Sequence, residues 1–152
     1  MDGRSLIFAA GAFACALLLP LHAQAQAANG VAWVSGGVGS EAREQMFAER
    51  DRYNLRLAFA VEKSGNYLAD VATVIRDDKG ATALQATSDG PLLYARLPAG
   101  KYRIAATFGD RTLTAEVTLI ARRSREHYFY WPGSYLGADP ADPENGAARG
   151  GK

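Results

Sequence analysis

Cysteine is almost absent: among 152 residues there is only Cys15, inside an apolar run near the N-terminus. A chain from which that run is removed can form no disulfide and has no thiolate chemistry. Histidine is nearly as scarce, with His22 and His127 alone. With the N-terminal segment that holds His22 removed, only His127 is left, so a multi-histidine metal site is excluded and any triad would have to use His127. Neither charge sign dominates, since 17 basic residues stand against 16 acidic for a formal net charge of +1. That balance supplies no global field to attract nucleic acid or an anionic membrane. No uninterrupted apolar run reaches the ~20 residues of a membrane-spanning helix, because Gly11 and Pro20 break the N-terminal one.

What is present near the N-terminus has a recognisable order. Arg4 precedes an apolar stretch from Leu6 to Leu21, which ends in the small residues His22-Ala23-Gln24-Ala25-Gln26-Ala27. A positive start, an apolar middle and an Ala-x-Ala end are the parts of a secretory signal. Residues 1–27 are expected to be that signal, with cleavage near Ala27; a second frame ends at Ala25. Cys15 is too early to be a lipid-bearing cysteine, since Ala16 to Leu19 still follow it. Cleavage removes Asp2 and Arg4 and leaves the net charge unchanged. No integral membrane segment is expected afterwards.

The remaining chain is long enough for one domain without staples. Residues 28–53 form an N-terminal segment in which Val31 to Val34 is strand-like, Ser35-Gly36-Gly37-Val38-Gly39 is a break, and Ser40 is the expected N-cap of a helix over 40–52. Ala42, Met46, Phe47 and Tyr53 give that helix an apolar stripe. From Leu55 the period becomes two, with Leu55, Leu57, Phe59 and Val61 on one side and Arg56, Ala58, Ala60 and Glu62 on the other. Further strands are expected at 67–76, 81–87, 92–97, 102–108, 113–119 and 127–131, separated by Gly, Asp, Asn and Pro turns. This spacing predicts an all-β, antiparallel, seven-stranded sandwich over 54–132 with one short N-terminal helix. Residues 133–152 are Gly, Ala, Pro and charge, and are expected to be a disordered tail.

Leu97-Pro98-Ala99-Gly100-Lys101-Tyr102-Arg103-Ile104 resembles the carboxypeptidase regulatory-like, or transthyretin-like, β-sandwich domain. Asp77, Lys79 and Gly80, followed by Ser88-Asp89-Gly90, sit where that family has its turns. The resemblance spans residues 55–119 and rests on turn chemistry, which speaks to fold and hardly to function. The domain's best-known examples are non-catalytic companions of zinc peptidases. The helix over 40–52 departs from the family's pattern. The chain as a whole resembles exported proteins of Gram-negative bacteria that carry this domain alone, which implies a periplasmic location and no established activity.

Several constellations bear on chemistry. Gly37-x-Gly39-x-x-Ala42 superficially matches a dinucleotide fingerprint, but the antiparallel hairpins that follow and Glu41 and Glu44 in the first turn argue against it. Ser124 and Glu126 are too close to His127 in sequence to complete a triad with it. Asp77 with Asp78 reads as turn chemistry. The run Tyr128-Phe129-Tyr130-Trp131 must place two aromatics on each face of a strand. One pair is core; the other, Tyr128 with Tyr130 or Phe129 with Trp131, faces outward unless the helix with Met46 and Phe47 lies across it, which is the favoured expectation. Tyr128, Tyr130 and Trp131, with Arg122, Arg123 and Arg125, are the candidate binding residues. No catalytic residue, metal ligand or cofactor is expected. The leading expectation is a non-catalytic periplasmic interaction module for another envelope protein. The alternatives are a carbohydrate- or peptidoglycan-binding module using exposed aromatics and, third, an exported hydrolase built on His127.

Overall fold

The computed structural model describes the backbone of residues 26–28 and all of residues 30–133. The expected signal and tail therefore lie outside the described residues, apart from Gln26, Ala27 and Gly133. Two sheets carry the fold. One has the order β1 (Gln26–Ala28), β2 (Val31–Gly36), β6 (Leu92–Arg96), β3 (Leu55–Val61), β9 (Arg125–Trp131); the other runs β5 (Thr82–Thr87), β4 (Ala72–Asp77), β7 (Gly100–Phe108), β8 (Arg111–Leu119). One helix, α1 (Ser40–Glu49), continues into a 3₁₀ turn at Arg50–Arg52.

Period-two patterning drives this arrangement. Leu55, Leu57, Phe59 and Val61 of β3 meet Ile75, Ile104 and Val117 of the opposite sheet in one buried core. Three departures from the sequence-based expectation follow from long-range pairing. The strand count exceeds seven, and the surplus lies at the N-terminal edge, where β1 and β2 extend the first sheet. The sheets are not wholly antiparallel: β3 and β9 run parallel in an unbroken register from Leu55 beside Arg125 to Val61 beside Trp131. The expected strand over 67–76 is two pieces. Tyr67 bridges Ala60 of the first sheet, whereas β4 belongs to the second. The chain changes sheets between them, with Asp70 at φ 58. Ser88, fully buried, closes the bend by accepting the Val71 N–H at its Oγ.

The helix differs in detail. It begins at Ser40 itself after Gly39 at φ 85, and no side chain caps its first turn. It lies on the outer face of the first sheet, where Met46 joins Val34, Ala58, Leu92 and Tyr94 in a second, smaller cluster. Strand β3 is thus covered on both faces: Ala58 and Ala60, expected on the solvent side, are buried. The β2–α1–β3 unit is not a dinucleotide-binding βαβ, because β6 separates the two strands and pairs antiparallel with each.

The turn motif at 97–102 carries the crossing from β6 to β7. Asn54 holds Leu97 from both sides, its amide donating to the Leu97 carbonyl at 2.7 Å and its Oδ1 accepting the Leu97 N–H at 2.9 Å. Tyr102 folds its phenol back to donate to the Pro98 carbonyl at 3.0 Å. Asp77 acts as a turn residue, its Oδ1 accepting the N–H groups of Lys79 and Ala81.

Between β8 and β9 the Arg123 N–H donates to the Ile120 carbonyl, with Arg122 at φ 62 in the third position of the turn. That position favours glycine, because a Cβ is strained there. Arg122→Gly is expected to raise stability by about 0.5–1 kcal/mol. Urea unfolding checks this, and a lowered midpoint contradicts it.

Candidate functional site

Strand β9 sorts its aromatics by parity. Phe129 and Trp131 point inward and are buried, Trp131 at 0% exposure, while Tyr128 and Tyr130 point outward at 53% and 52%. Trp131 packs against Phe59, Phe108 and Phe129 and donates its Nε1–H to the Arg111 carbonyl at 3.3 Å. It is a core residue and offers no face to a ligand. Both tyrosine rings lie nearly parallel, 12° apart in plane with centroids 6.2 Å apart. The helix does not cover them, in contrast to the favoured sequence expectation, because α1 sits over β2 and β6 through Met46.

Around Tyr128 the outer face forms a shallow groove of about 90 Å³. Ala58, Leu92 and Tyr94 line it, with Phe47 of α1, Tyr67 and Tyr128 around them. Phe47 and Tyr67 are themselves 52% and 56% exposed. The Arg43 guanidinium stands 5.5 Å from the Tyr67 ring centre, a cation–π distance that ties the helix to the groove's edge. Burial pushes the Tyr94 phenol above its ordinary pKa, an effect that Arg56 opposes. Tyr94 is thus a neutral hydroxyl at physiological pH.

A second cation of this face is Arg56. Its guanidinium meets Glu126 at 3.2 Å and Asp51 at 3.0 Å, and its Nε–H donates to the Arg50 carbonyl. With only 12% of its side chain exposed, it is a fixed charge rather than a waving one. Arg122, Arg123 and Arg125 are elsewhere. The first two lie in the turn before β9, and Arg125, though exposed, has the inward parity of the strand. Arg125 therefore does not share the tyrosines' face.

His127 has the inward parity too. It meets Phe129 edge-on at 4.7 Å, and among the described residues it has no hydrogen bond to a nucleophile or carboxylate. Burial pushes its pKa below the ordinary 6.5, and Arg125 lowers it further. Folding therefore favours the neutral ring. The unfolded chain takes up the proton first, so this contribution to stability is present above the unfolded pKa and is lost as pH falls below about 6.5. His127→Gln is expected to flatten the fall in urea midpoint between about pH 7 and about pH 5 relative to the parent. Identical profiles contradict this.

A larger hollow of about 470 Å³ lies at the end of the second sheet, beside Asp77, Lys101 and Tyr102. Several of its polar groups are committed elsewhere: Asp77 to its turn, Tyr102 to Pro98, and Arg103 to Glu116 at 2.8 Å. Among the described residues no three His, Cys, Asp or Glu side chains gather to hold a metal, and no helix is long and apolar enough to cross a membrane.

The site is therefore assembled from Phe47, Arg56, Tyr67, Tyr94, Glu126, Tyr128 and Tyr130, of which only the last two were sequence-predicted. No protein-family model matches this chain, and no curated protein matches it.

Proposed function

We propose that the protein is a non-catalytic interaction module of the bacterial cell envelope, which binds another envelope protein through the aromatic outer face of β9 and the groove beside it. The observation that carries this reading is the exposure of four large aromatics, Phe47, Tyr67, Tyr128 and Tyr130, on one face around a fixed Arg56–Glu126 pair. Tyrosine and phenylalanine clustered with arginine are the residues that anchor protein interfaces. Among the described residues His127 is hydrogen-bonded to no nucleophile or carboxylate and packs edge-on against Phe129, which supports a non-catalytic role. The location rests on the signal-like N-terminus, and the kinship on the Leu97–Tyr102 turn motif, which resembles that of the transthyretin-like sandwiches.

A photo-crosslinking amino acid at Tyr67 or Tyr130 tests this reading in the native envelope, with Thr114 on the outer face of the other sheet as control. A discrete crosslinked protein from the first two positions and none from Thr114 is the expected result. Equal products from all three, or none, contradict it.

The near-parallel Tyr128 and Tyr130 rings favour one second reading, stacking on a glycan such as peptidoglycan. Titration calorimetry with peptidoglycan fragments decides between them. A saturable heat lost in Tyr128→Ala replaces the protein partner with a sugar. Trp33 and Trp131 are both core residues, so their fluorescence is a poor reporter for this face.

A further inference from the structure

Strand β9 ends its sheet, and among the described residues no strand pairs with its outer edge. Two backbone bonds fix which of its groups point that way. The Arg125 N–H donates to the Asn54 carbonyl, and the Glu62 N–H donates to the Trp131 carbonyl. In a parallel ladder this directs the N–H and C=O of Arg125, His127, Phe129 and Trp131 to β3. Those of Glu126, Tyr128 and Tyr130 point away from it. An uncovered row of this kind is a template for another strand. The edge has little to discourage one: its register with β3 is unbroken, it contains no proline or lysine, and its outward charge, Glu126, is held by Arg56.

We propose that the chain forms a two-fold dimer in which β9 pairs antiparallel with β9 of a second copy, with Tyr128 directly opposite the second copy's Tyr128. Only this register uses every outward group. Tyr128 faces its own copy, Glu126 faces Tyr130, and each such pair exchanges two N–H···O bonds. The axis stands normal to the sheet, and all outward side chains stay on one face. Tyr128 and Tyr130 of both copies then form one four-tyrosine surface. The pairing does not depend on the proposed recognition function; only the meaning of the doubled face rests on it.

A seven-residue strand edge is a small interface, so the dimer is expected to be weak and concentration-dependent. Sedimentation velocity of the purified protein, with no partner present, reads it directly. Tyr128→Lys places like charges opposite each other and is expected to weaken the dimer by about tenfold or more. Cysteine crosslinking reads the register. In a Cys15→Ser background, Tyr128→Cys is expected to form a disulfide dimer with oxidised glutathione, which accepts the two electrons, because facing residues in such a pair lie about 5.5 Å apart at Cα. Glu126→Cys alone is not expected to crosslink, and Glu126→Cys mixed with Tyr130→Cys is. A monomer at every concentration with no Tyr128→Cys crosslink overturns the dimer. Efficient self-crosslinking of Glu126→Cys instead overturns the register.

Discussion

Trp131→Ala is expected to destabilise the protein by about 3–5 kcal/mol, a large fraction of the stability of a typical domain of this size. The side chain is fully buried between Phe59, Phe108 and Phe129, at the place where β9 of one sheet meets the Phe108–Arg111 hairpin of the other. Removing it leaves a large void and takes away the hydrogen bond that its Nε1–H donates to the Arg111 carbonyl. Neighbouring rings cannot collapse into that space, because each is fixed by its own strand. Urea unfolding followed by circular dichroism measures the change, and a loss below about 1 kcal/mol would show that Trp131 is not the core residue described. Tyr130→Ala, one position earlier on the opposite face, is expected to cost well under half as much.

Gly90→Ala is expected to cost about 1–3 kcal/mol or more, although it adds a single methyl group. A Cβ on Gly90 would fall on the Gly36 carbonyl at the end of β2. The obstacle is backbone, so no rotamer change relieves it. Two hydrogen bonds fix the approach: Ser35 Oγ donates to the Asp89 carboxylate at 2.9 Å and accepts the Asp89 N–H at 3.0 Å. Separating the two segments would strain the adjoining β2–β6 register, where Gly36 lies beside Leu92. The unfolding midpoint again decides, and a parent-like value would mean that the segments separate freely. Gly80→Ala is the useful comparison, since that glycine is at φ 82 with no atom near its missing Cβ, and its cost comes from backbone conformation alone.

Local features were legible in the sequence. Alternation in 55–61, 102–108 and 113–119 gave the core face, because one side of each strand is apolar and the period is two. Asp77 and Gly80 announced their turn by residue type. What remained hidden was decided by distant partners. The parallel partnership of β3 and β9 joins segments about seventy residues apart, and no local signal specifies it. The aromatic run at 128–131 has no polar alternation, so its parity was open until β3 fixed it. Tyr67 looked like the first residue of a strand because β-branched residues follow it, yet the chain changes sheets at Asp70. Arg56 was legible only as an outward residue. Its role at the site needs Glu126 from β9 and Asp51 from the 3₁₀ turn, which only the fold brings together.

The central claim is that β9 divides its aromatics, with the inward pair holding the fold and the outward pair meeting a partner. The direct measurement compares two double variants, Tyr128→Ala/Tyr130→Ala and Thr112→Ala/Thr114→Ala, for unfolding midpoint and for retention of the envelope protein crosslinked from Tyr67 or Tyr130. The account predicts that both fold, and that only the tyrosine variant loses retention, by about tenfold or more. Equal retention by the two variants would contradict it.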